Sequence, residues 1–311
     1  MALPAIADVR NGRPDALLAV AARAPVAPLF SLVRGVDEVV TLPRRGPAPL
    51  AGYDTAILLP NSFHSAMSAA RAGVPERWGY RTDWRGMLLT RAIDRVRSDV
   101  HQIDSYQRLV ASLGFANGPS APRLEISPDV RAAGASLLRR TGWDGRRPLV
   151  AIAPGAAYGS AKRWPPAAFA DLAAGLAEDG VLTVMVGAPA DRATAADVLR
   201  ELRGRATLID VVGQTDIPTL AGVLANCRAL TANDSGALHL AAALGIHVAA
   251  VFGPTDERLS GPRTLNAELR TTVLTHSTWC RPCGLRDCPL DHACMLGLSA
   301  AEALAATRKA L

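Results

Sequence analysis

Residues 231–257 read Thr-Ala-Asn-Asp-Ser-Gly-Ala-Leu-His-Leu-Ala-Ala-Ala-Leu-Gly-Ile-His-Val-Ala-Ala-Val-Phe-Gly-Pro-Thr-Asp-Glu, and this stretch decides the fold. It predicts an apolar strand over 228–232, then a helix of small residues, then a second strand over 247–252 that ends in Gly253-Pro254-Thr255. This is one βαβ turn of a doubly wound sheet, in which ligands bind at the carboxyl ends of the strands. The stretch therefore predicts an α/β fold with a ligand site at its polar residues.

The polar or flexible residues Asp234, Ser235, Gly236 and His239 lie where the first strand ends and the helix begins. Ser235 and Gly236 open the predicted helix, so their backbone N–H groups and the helix dipole face an anion. His239 lies four residues after Ser235 and so occupies the same helix face, one turn along. The alternative is a capped helix with a core histidine, but so many polar groups at one strand end favour an anion-binding site.

The composition excludes several classes of protein. The 311 residues are 49% hydrophobic and 20% charged, which is typical of a globular chain with a full core and allows two domains of ordinary size. No apolar run has the length of a membrane span, because charges or prolines interrupt the longest candidates. The N-terminus shows no basic start followed by an apolar core, so we predict no signal peptide and a cytoplasmic location.

Apolar strands alternate with helices in both halves of the chain, a rhythm that predicts parallel sheets. Residues 116–148 are rich in proline, glycine and arginine, which is typical of a boundary between domains. We therefore predict two domains, residues 1–145 and residues 146–311, the second with a Cys-rich segment over 279–295 and a C-terminal helix.

Arginine supplies nearly all of the positive charge, since the net charge is +6 and Lys162 and Lys309 are the only lysines. An internal lysine in such a chain points to a need for a compact ammonium; a chance surface lysine is the alternative. Arginines are dense between positions 71 and 97. This pattern is typical of a solvated helix face, or of a basic surface that binds a phosphate-bearing acceptor or an anionic membrane. Nucleic acid is not an expected partner, because this stretch has neither a DNA-binding motif nor a series of aromatic residues.

Residues 154–164 form a loop between a predicted strand and a predicted helix. Gly155 and Gly159 let backbone N–H groups approach a ligand closely, and Lys162 ends the loop, where its charge can neutralise a diphosphate leaving group. The loop is not a P-loop, and no Gly-x-Gly-x-x-Gly follows a strand, which argues against an NAD-dependent oxidoreductase. The alternative is an ordinary connection between a strand and a helix.

Asp191 follows the next predicted strand, in the stretch Val186-Gly187-Ala188-Pro189-Ala190-Asp191. A carboxylate at this place can accept hydrogen bonds from a ribose. It can equally cap the helix that follows, and the two roles are compatible.

The Cys-rich segment contains Cys280-Arg-Pro-Cys283, followed by Cys288 and Cys294. A structural zinc or iron–sulfur site and four unliganded thiols both remain open, because the last two cysteines are not a second Cys-x-x-Cys. Disulfides are not expected in a cytoplasmic protein. Any metal here is expected to be structural, since four thiolates leave zinc no open coordination position. The fifth cysteine, Cys227, falls in an apolar predicted helix and is expected in the core.

Several of these motifs, in this order, resemble those of glycosyltransferase family 9. The resemblance covers essentially the whole chain. The motifs that carry it are Leu59-Pro60-Asn61-Ser62-Phe63, Gly155 through Lys162-Arg163-Trp164-Pro165, Asn233-Asp234-Ser235-Gly236 with His239, Phe252-Gly253-Pro254-Thr255, and Trp279-Cys280 to Cys294.

The resemblance implies a GT-B fold, in which two Rossmann-like domains with doubly wound parallel sheets face each other across a cleft. It implies an inverting transfer of heptose from ADP-L-glycero-D-manno-heptose, held by the C-terminal domain. The acceptor would be heptosyl-Kdo-lipid A, the inner core of lipopolysaccharide, held by the N-terminal domain at the cytoplasmic face of the inner membrane, with the protein as a peripheral partner. The reaction that the resemblance implies requires no cofactor or metal for catalysis. A family relative with another sugar nucleotide or acceptor is the alternative.

The resemblance also carries site residues over by position. The donor-binding residues would be Gly155, Lys162, Asp191, Asp234, Ser235, Gly236 and His239. Among them, Lys162 would meet the leaving diphosphate and Asp191 the ribose. The acceptor-binding residues would be Asn61, Ser62, His64, Arg81 and Arg85. His64 departs from the lysine that is more usual in the family.

The N-terminus departs from the family pattern. The family opens with a strand, a loop carrying Gly-Asp and a helix, and that aspartate is the expected general base. The stretch Met1-Ala2-Leu3-Pro4-Ala5-Ile6 resembles the helix that follows the loop, so the general base is expected to be absent. Asp8 lies on that helix and does not match the base. Without the opening strand, the N-terminal sheet should contain a gap. Two explanations are a start codon assigned too late, which we favour, and a truncated, non-catalytic sugar-nucleotide-binding remnant.

Overall fold

Parallel strands alternate with helices throughout the computed structural model, which describes residues 1–95, 99–264 and 271–311. The chain divides into two units, residues 1–122 and residues 123–311. The predicted α/β class with parallel sheets is thus confirmed.

The first unit contains short strands and three α-helices among the described residues. Strands β1–β5 span Ala19–Arg23, Glu38–Leu42, Thr55–Leu58, Glu76–Tyr80 and Arg91–Ile93. Helices α1–α3 span Leu3–Gly12, Phe63–Arg71 and Gln102–Ser112. Short 3₁₀-helices span Ala27–Leu32 and Arg85–Leu88.

These strands do not form one continuous sheet. The strand β1 pairs in parallel with β2, and a separate parallel sheet has the order β3-β4-β5. The predicted interruption is therefore present among the described strands of this unit. Along the described residues, the strands on the two sides of the interruption pair only within their own sheets.

The core of the first unit lies between α1 and α3, where Ala5, Leu109 and Val110 are buried beside Tyr80. Asp8 lies on α1 and is itself buried. Its carboxylate accepts hydrogen bonds from the Gly118 backbone N–H at 2.7 Å and from the Gln107 side chain at 2.8 Å. A buried carboxylate needs such partners, so Asp8 stabilises the packing of α1.

The second unit is built on a six-stranded parallel sheet. Its strands β6–β11 span Leu149–Ala153, Leu182–Met185, Leu208–Asp210, Ala229–Asn233, His247–Phe252 and Thr271–Thr275. Their spatial order is β11-β10-β9-β6-β7-β8. Every residue of β6, β7, β9 and β10 is buried, because helices cover a parallel sheet on both faces.

The first helix of this unit precedes those strands, and the other described helices connect or follow them. The described helices α4–α11 span Pro128–Arg140, Pro166–Glu178, Arg192–Leu202, Ile217–Leu224, Gly236–Ala243, Glu257–Ser260, Ala293–Leu296 and Ala300–Arg308. Trp164 is fully buried at the start of α5; its indole N–H donates to the Leu298 carbonyl, and its ring meets Phe169 edge-to-face. No described helix has the length and apolar character that crossing a lipid bilayer requires.

The boundary between the units differs from the predicted division at 145/146. The helix α4 packs against α7 at two glycines, and a Cβ atom on Gly134 would lie 2.1 Å from the Gly222 carbonyl carbon. The Leu124 N–H also donates to the Ala243 carbonyl. Residues 123–145 therefore belong to the second unit, because α4 buries its apolar face there.

Candidate active site

The strand order of the second unit changes direction between β6 and β9. From β6 the chain continues to β7 and β8 on one side, and β9, β10 and β11 lie on the other. At such a switch point the loops that follow the two central strands diverge and leave a crevice for a ligand. Here those loops are residues 154–162 after β6 and Asp234–Ser235 after β9, the two loops to which the sequence assigned donor binding.

Asn233, the last residue of β9, joins these two loops. Its side chain is fully buried; the amide oxygen accepts from the Trp164 N–H at 3.0 Å and the amide NH₂ donates to the Pro154 carbonyl at 2.8 Å. The sequence motif alone gave Asn233 no role of its own. A buried amide at a strand end beside two polar loops is the signal that identifies it.

Lys162 and Asp234 meet at the crevice. Lys162 ends a 3₁₀-helix over Ser160–Lys162, and its ammonium lies 2.5 Å from Oδ2 of Asp234. Both side chains are mostly buried, at 12% and 7% exposed. The ammonium also lies 4.6 Å from the centre of the Tyr158 ring, a cation–π contact. Lys162 is therefore a held, compact cation at the switch point.

Two further side chains contact the Asp234 carboxylate. The Thr255 hydroxyl, which follows β10, donates to Oδ2 at 2.9 Å. Nε2 of His239 lies 3.8 Å from Oδ1. Lys162, Asp234, Thr255 and His239 thus form one cluster of ammonium, carboxylate, hydroxyl and imidazole. The sequence motif predicted no function for Thr255, although its place after a central strand could have indicated one.

The N-terminus of α8 is open beside this cluster. Ser235 occupies the N-cap position and makes no side-chain cap to the helix. Among the described residues its buried hydroxyl oxygen has no hydrogen-bond partner. A Cβ atom on Gly236 would meet no atom of the described part of the chain within 4 Å. The first backbone N–H groups of the helix and the Ser235 hydroxyl can therefore all donate hydrogen bonds to an anion at this end of the helix.

Asp191 lies directly against the loop that follows β6. Its carboxylate accepts from the Ala188 N–H at 2.9 Å, and a Cβ atom on Gly155 would lie 2.2 Å from its carboxyl carbon. Only glycine fits at position 155, because any side chain would displace the carboxylate. Asp191 does occupy the N-cap position of α6, but its side chain makes no hydrogen bond to that helix.

The residues expected to hold an acceptor lie in the first unit and have different environments. The Ser62 hydroxyl caps α2 by accepting from the Ser65 N–H at 3.3 Å. His64 is exposed on that helix and lies 3.5 Å from the Ser68 hydroxyl. The Asn61 carbonyl accepts from the Thr82 hydroxyl. These three positions remain predictions for acceptor binding.

Arg85 is enclosed within the first unit. It is fully buried, and its guanidinium donates to the carbonyls of Tyr80 and Pro60 and to the Ser65 hydroxyl. Burial lowers the pKa of this arginine from its usual value. The side chain thus links three segments of the first unit, while among the described residues its buried Nη2 has no hydrogen-bond partner; the acceptor role of Arg85 stays a prediction. Arg81 is exposed and pairs with Asp94 at 3.1 Å; Arg97 of the same basic stretch lies outside the described residues.

The cysteines of the second unit are free thiols. Burial raises the pKa of Cys294, and the nearby thiols of Cys280, Cys283 and Cys288 raise it further. Within the described parts of the chain, no group of three or more His, Cys, Asp or Glu side chains is arranged to hold a metal ion. Cys227 is buried as predicted, but it follows α7 instead of lying in it.

A sequence model of glycosyltransferase family 9 (heptosyltransferase) matches residues 50–294. The chain belongs to glycosyltransferase family 9. It is 29% identical to lipopolysaccharide heptosyltransferase 2 of Escherichia coli strain K12 over 280 residues, which is 82% of this chain and 79% of that protein. It is 30% identical to lipooligosaccharide heptosyltransferase 2 of Haemophilus influenzae over 243 residues, 74% of this chain and 69% of the relative.

Solved structures share the fold of this family 9 glycosyltransferase. The structure of E. coli ADP-heptose lps heptosyltransferase II superposes with a TM-score of 0.80 at 23% identity and covers 99% of this chain and 93% of that one. E. coli heptosyltransferase WaaC with ADP superposes with a TM-score of 0.73 at 20% identity over 100% of this chain and 95% of that one. The chain is therefore a glycosyltransferase with the fold of the GT-B heptosyltransferases.

Proposed function

We propose that this glycosyltransferase moves heptose from ADP-L-glycero-D-manno-heptose to heptosyl-Kdo-lipid A, the inner core of lipopolysaccharide. The observation that carries the proposal is the Lys162–Asp234–Thr255 cluster beside the open N-terminus of α8 at the sheet's switch point. The relatives named lipopolysaccharide heptosyltransferase 2 and the related WaaC structure with ADP support it.

The donor's diphosphate fits the positive elements of the crevice. The α8 N-terminus offers backbone N–H groups and the Ser235 hydroxyl, and Lys162 offers an ammonium whose other N–H bonds are not used by Asp234. The Asp191 carboxylate, held beside Gly155, can accept hydrogen bonds from ribose hydroxyls. The negative charge of Asp234 would repel a diphosphate placed directly against it. We therefore assign Asp234 and His239 to hydroxyls of the sugar.

The reaction is a displacement at the anomeric carbon with inversion. An acceptor oxygen forms a bond to that carbon while the bond to the β-phosphate oxygen of ADP breaks. Lys162 and the α8 N-terminus stabilise the negative charge that develops on the leaving diphosphate. The acceptor proton passes to a general base, a role that we assign to none of the residues named here. Asp8 does not supply this base, because Gly118 and Gln107 already hold its buried carboxylate.

The acceptor side is assigned to Asn61, Ser62, His64 and Arg81 of the first unit. Beside Arg81, the side chains of Trp84 and Met87 are 89% and 82% exposed. Large apolar side chains flanked by arginine are typical of surfaces that bind the headgroup region of an anionic bilayer. We therefore assign peripheral association with the inner membrane to this surface.

Vesicle co-sedimentation tests the membrane assignment. Wild-type protein should sediment with vesicles of anionic phospholipid, and the double variant Trp84→Ser/Met87→Ser should stay in the supernatant. The matched control is Trp279→Ser, which removes a tryptophan that is 88% exposed in the second unit and should sediment like the wild type. Equal sedimentation of all three proteins would reject this surface.

The reaction is assigned no catalytic metal, and the two alternatives for the four cysteines of the Cys-rich segment are a structural metal site and unliganded thiols. Their thiols lie near one another, but the described side chains form no metal-holding group. Elemental analysis of the purified protein decides between the two: near-stoichiometric zinc or iron would establish the structural site.

The function is tested with purified protein, ADP-heptose and a heptosyl-Kdo-lipid A acceptor. We expect release of ADP together with a product one heptose larger. A panel of other sugar nucleotides separates this reaction from that of a relative with another donor. Binding of ADP without any turnover would favour the non-catalytic remnant, and neither binding nor turnover would reject the proposed function.

A further inference from the structure

The segment Cys280–Cys288, called the strap below, lies against both loops that border the proposed donor site. The Gly284 N–H donates to the Pro254 carbonyl at 2.8 Å, and the Gly284 carbonyl accepts from the Tyr158 hydroxyl at 2.8 Å. One residue of the strap thus contacts the loop after β10 and the loop after β6. The strap therefore connects the loop after β6 to the loop after β10, although it makes none of the proposed donor contacts.

On one side the strap holds the loop that ends in Lys162. The Arg286 carbonyl accepts from the Ala161 N–H at 3.0 Å, and the Arg286 side chain donates to the Tyr158 carbonyl at 2.8 Å. The Ser160 hydroxyl donates to Asp287 at 2.7 Å. The approach is so close that a Cβ atom on Gly159 would lie 2.1 Å from the Arg286 carbonyl oxygen. Gly159 is thus needed for packing against the strap.

On the other side Arg281 holds the loop that follows β10. Its side chain is only 12% exposed. Nε donates to the Gly253 carbonyl at 2.7 Å, and Nη2 donates to the Thr255 carbonyl at 3.3 Å and to the Glu257 carboxylate at 2.5 Å. A planar guanidinium with donors in a fixed fork can bind all three acceptors at once, which a lysine ammonium cannot do in the same geometry.

These contacts connect Arg281 to the cluster. Arg281 holds the backbone of Thr255, the Thr255 hydroxyl donates to Asp234, and Asp234 pairs with Lys162. We propose that Arg281 is a positioning residue of the donor site, which keeps the Thr255 hydroxyl on the Asp234 carboxylate and thereby keeps the Lys162 ammonium aimed at the donor's diphosphate. This inference rests on the proposed function, because it assigns the diphosphate to that cluster.

The test compares Arg281→Ala and Arg281→Lys with wild type in ADP affinity, in kcat and KM for the donor, and in Tm. We expect kcat to fall about 10- to 100-fold in Arg281→Ala, the usual effect of losing a group that orients a site residue. Arg281→Lys should not restore it, and added guanidinium ion should restore part of it. The matched control is Arg258→Ala, which removes an exposed arginine of the adjacent helix α9 that pairs with Asp256 and should leave kcat unchanged.

A double-mutant cycle with Thr255→Val identifies the route. If Arg281 acts through Thr255, the double variant Arg281→Ala/Thr255→Val should lose little more activity than the worse single variant. The inference would be overturned if the double variant's loss of activity equalled the product of the two single losses. It would also be overturned if kcat fell only in proportion to a lower Tm and added guanidinium ion restored none of it. If the wild type binds ADP and transfers sugar while Arg281→Ala equals it, this inference fails alone. If the wild type does not bind ADP, the proposed function fails and this inference falls with it.

Discussion

The Lys162 ammonium and the Asp234 carboxylate form a mostly buried ion pair whose atoms lie 2.5 Å apart, although the two residues are 72 positions apart in the chain. Removing one member of such a pair leaves an uncompensated charge in a poorly hydrated place. The pair therefore makes each of its members sensitive to substitution, in function and in stability.

Lys162→Ala should lower the rate of sugar transfer about a hundredfold or more, because the leaving diphosphate loses its nearest cation. The measurement is kcat for ADP release with saturating donor. Lys309→Ala is the matched control, since Lys309 is the other lysine of the chain and is exposed on the C-terminal side of the last helix. Near-normal turnover by Lys162→Ala would remove the lysine from the mechanism.

Gly134→Ala should destabilise the second unit, although alanine is favoured over glycine inside a helix by about 1 kcal/mol. The new Cβ would lie 2.1 Å from the backbone carbon of Gly222, where α4 and α7 touch, so the helices must separate. We expect a net loss of about 1–3 kcal/mol in the free energy of unfolding, measured by urea denaturation.

Gly175→Ala is the matched control for that substitution. Gly175 also lies inside a helix, but its Cβ would approach the Leu304 side chain and no backbone atom among its nearest contacts; the closest atom is Cδ2, at 2.6 Å, the rotatable end of that side chain. We expect little change or a small gain in stability there. Equal effects at the two glycines would contradict the close backbone contact between α4 and α7.

Thiol alkylation should separate the cysteines. Burial raises the pKa of the Cys227 thiol to about 12, so at pH 8 only about one molecule in 10⁴ carries the reactive thiolate. Cys283 is exposed and should react with iodoacetamide first. Peptide mass spectrometry after timed labelling measures the order, and Cys227 should react only when the protein unfolds or the pH approaches its pKa.

Asp216 should stabilise α7 in a pH-dependent manner. Its carboxylate accepts from the Thr219 N–H at 2.8 Å, and hydrogen bonds from Thr219 lower its pKa below the usual 3.8. Because the folded-state pKa is lowered, the contribution is fully present above the unfolded-state pKa and disappears as the pH falls through the folded-state value. Asp216→Ala should therefore cost about 1 kcal/mol at pH 7 and less below pH 4.

The comparison for Asp216 is Asp216→Asn. Asparagine caps helices about as well as aspartate but does not titrate, so its stability should stay close to wild type at pH 7 and should not show the same loss on acidification. Urea denaturation at several pH values measures all three proteins. A pH-independent difference between wild type and Asp216→Ala would argue against the carboxylate as the cap.

Much of the second unit could be predicted from periodicity. The strands predicted at 228–232 and 247–252 are observed at Ala229–Asn233 and His247–Phe252, with α8 between them. Their long apolar runs, bounded by glycine and polar residues, encode local structure directly. The first unit was less predictable, because its short strands are only partly buried and its sheet is interrupted.

The site was predicted in part. The rarity of lysine identified Lys162, and strand ends identified Asp191 and Asp234. The family resemblance assigned Arg85 to the acceptor, but the burial of its side chain could not be predicted, because an arginine in a basic stretch looks the same whether exposed or buried. Arg281 received no role, since nothing in its neighbourhood of cysteines indicates that its side chain reaches the loop after β10.

The sequence by itself determined the alternation of strands and helices, the family, and the polar loops at the strand ends. Each of these depends on local patterns or short motifs, whose residues lie close together in the chain. Only the tertiary structure decided which loops meet at the switch point, that Asp234 holds Lys162, that Arg85 is enclosed, and that the strap supports the donor loops. Such contacts depend on where the sheet order reverses and how loops pack upon it, and a one-dimensional pattern carries little information about either.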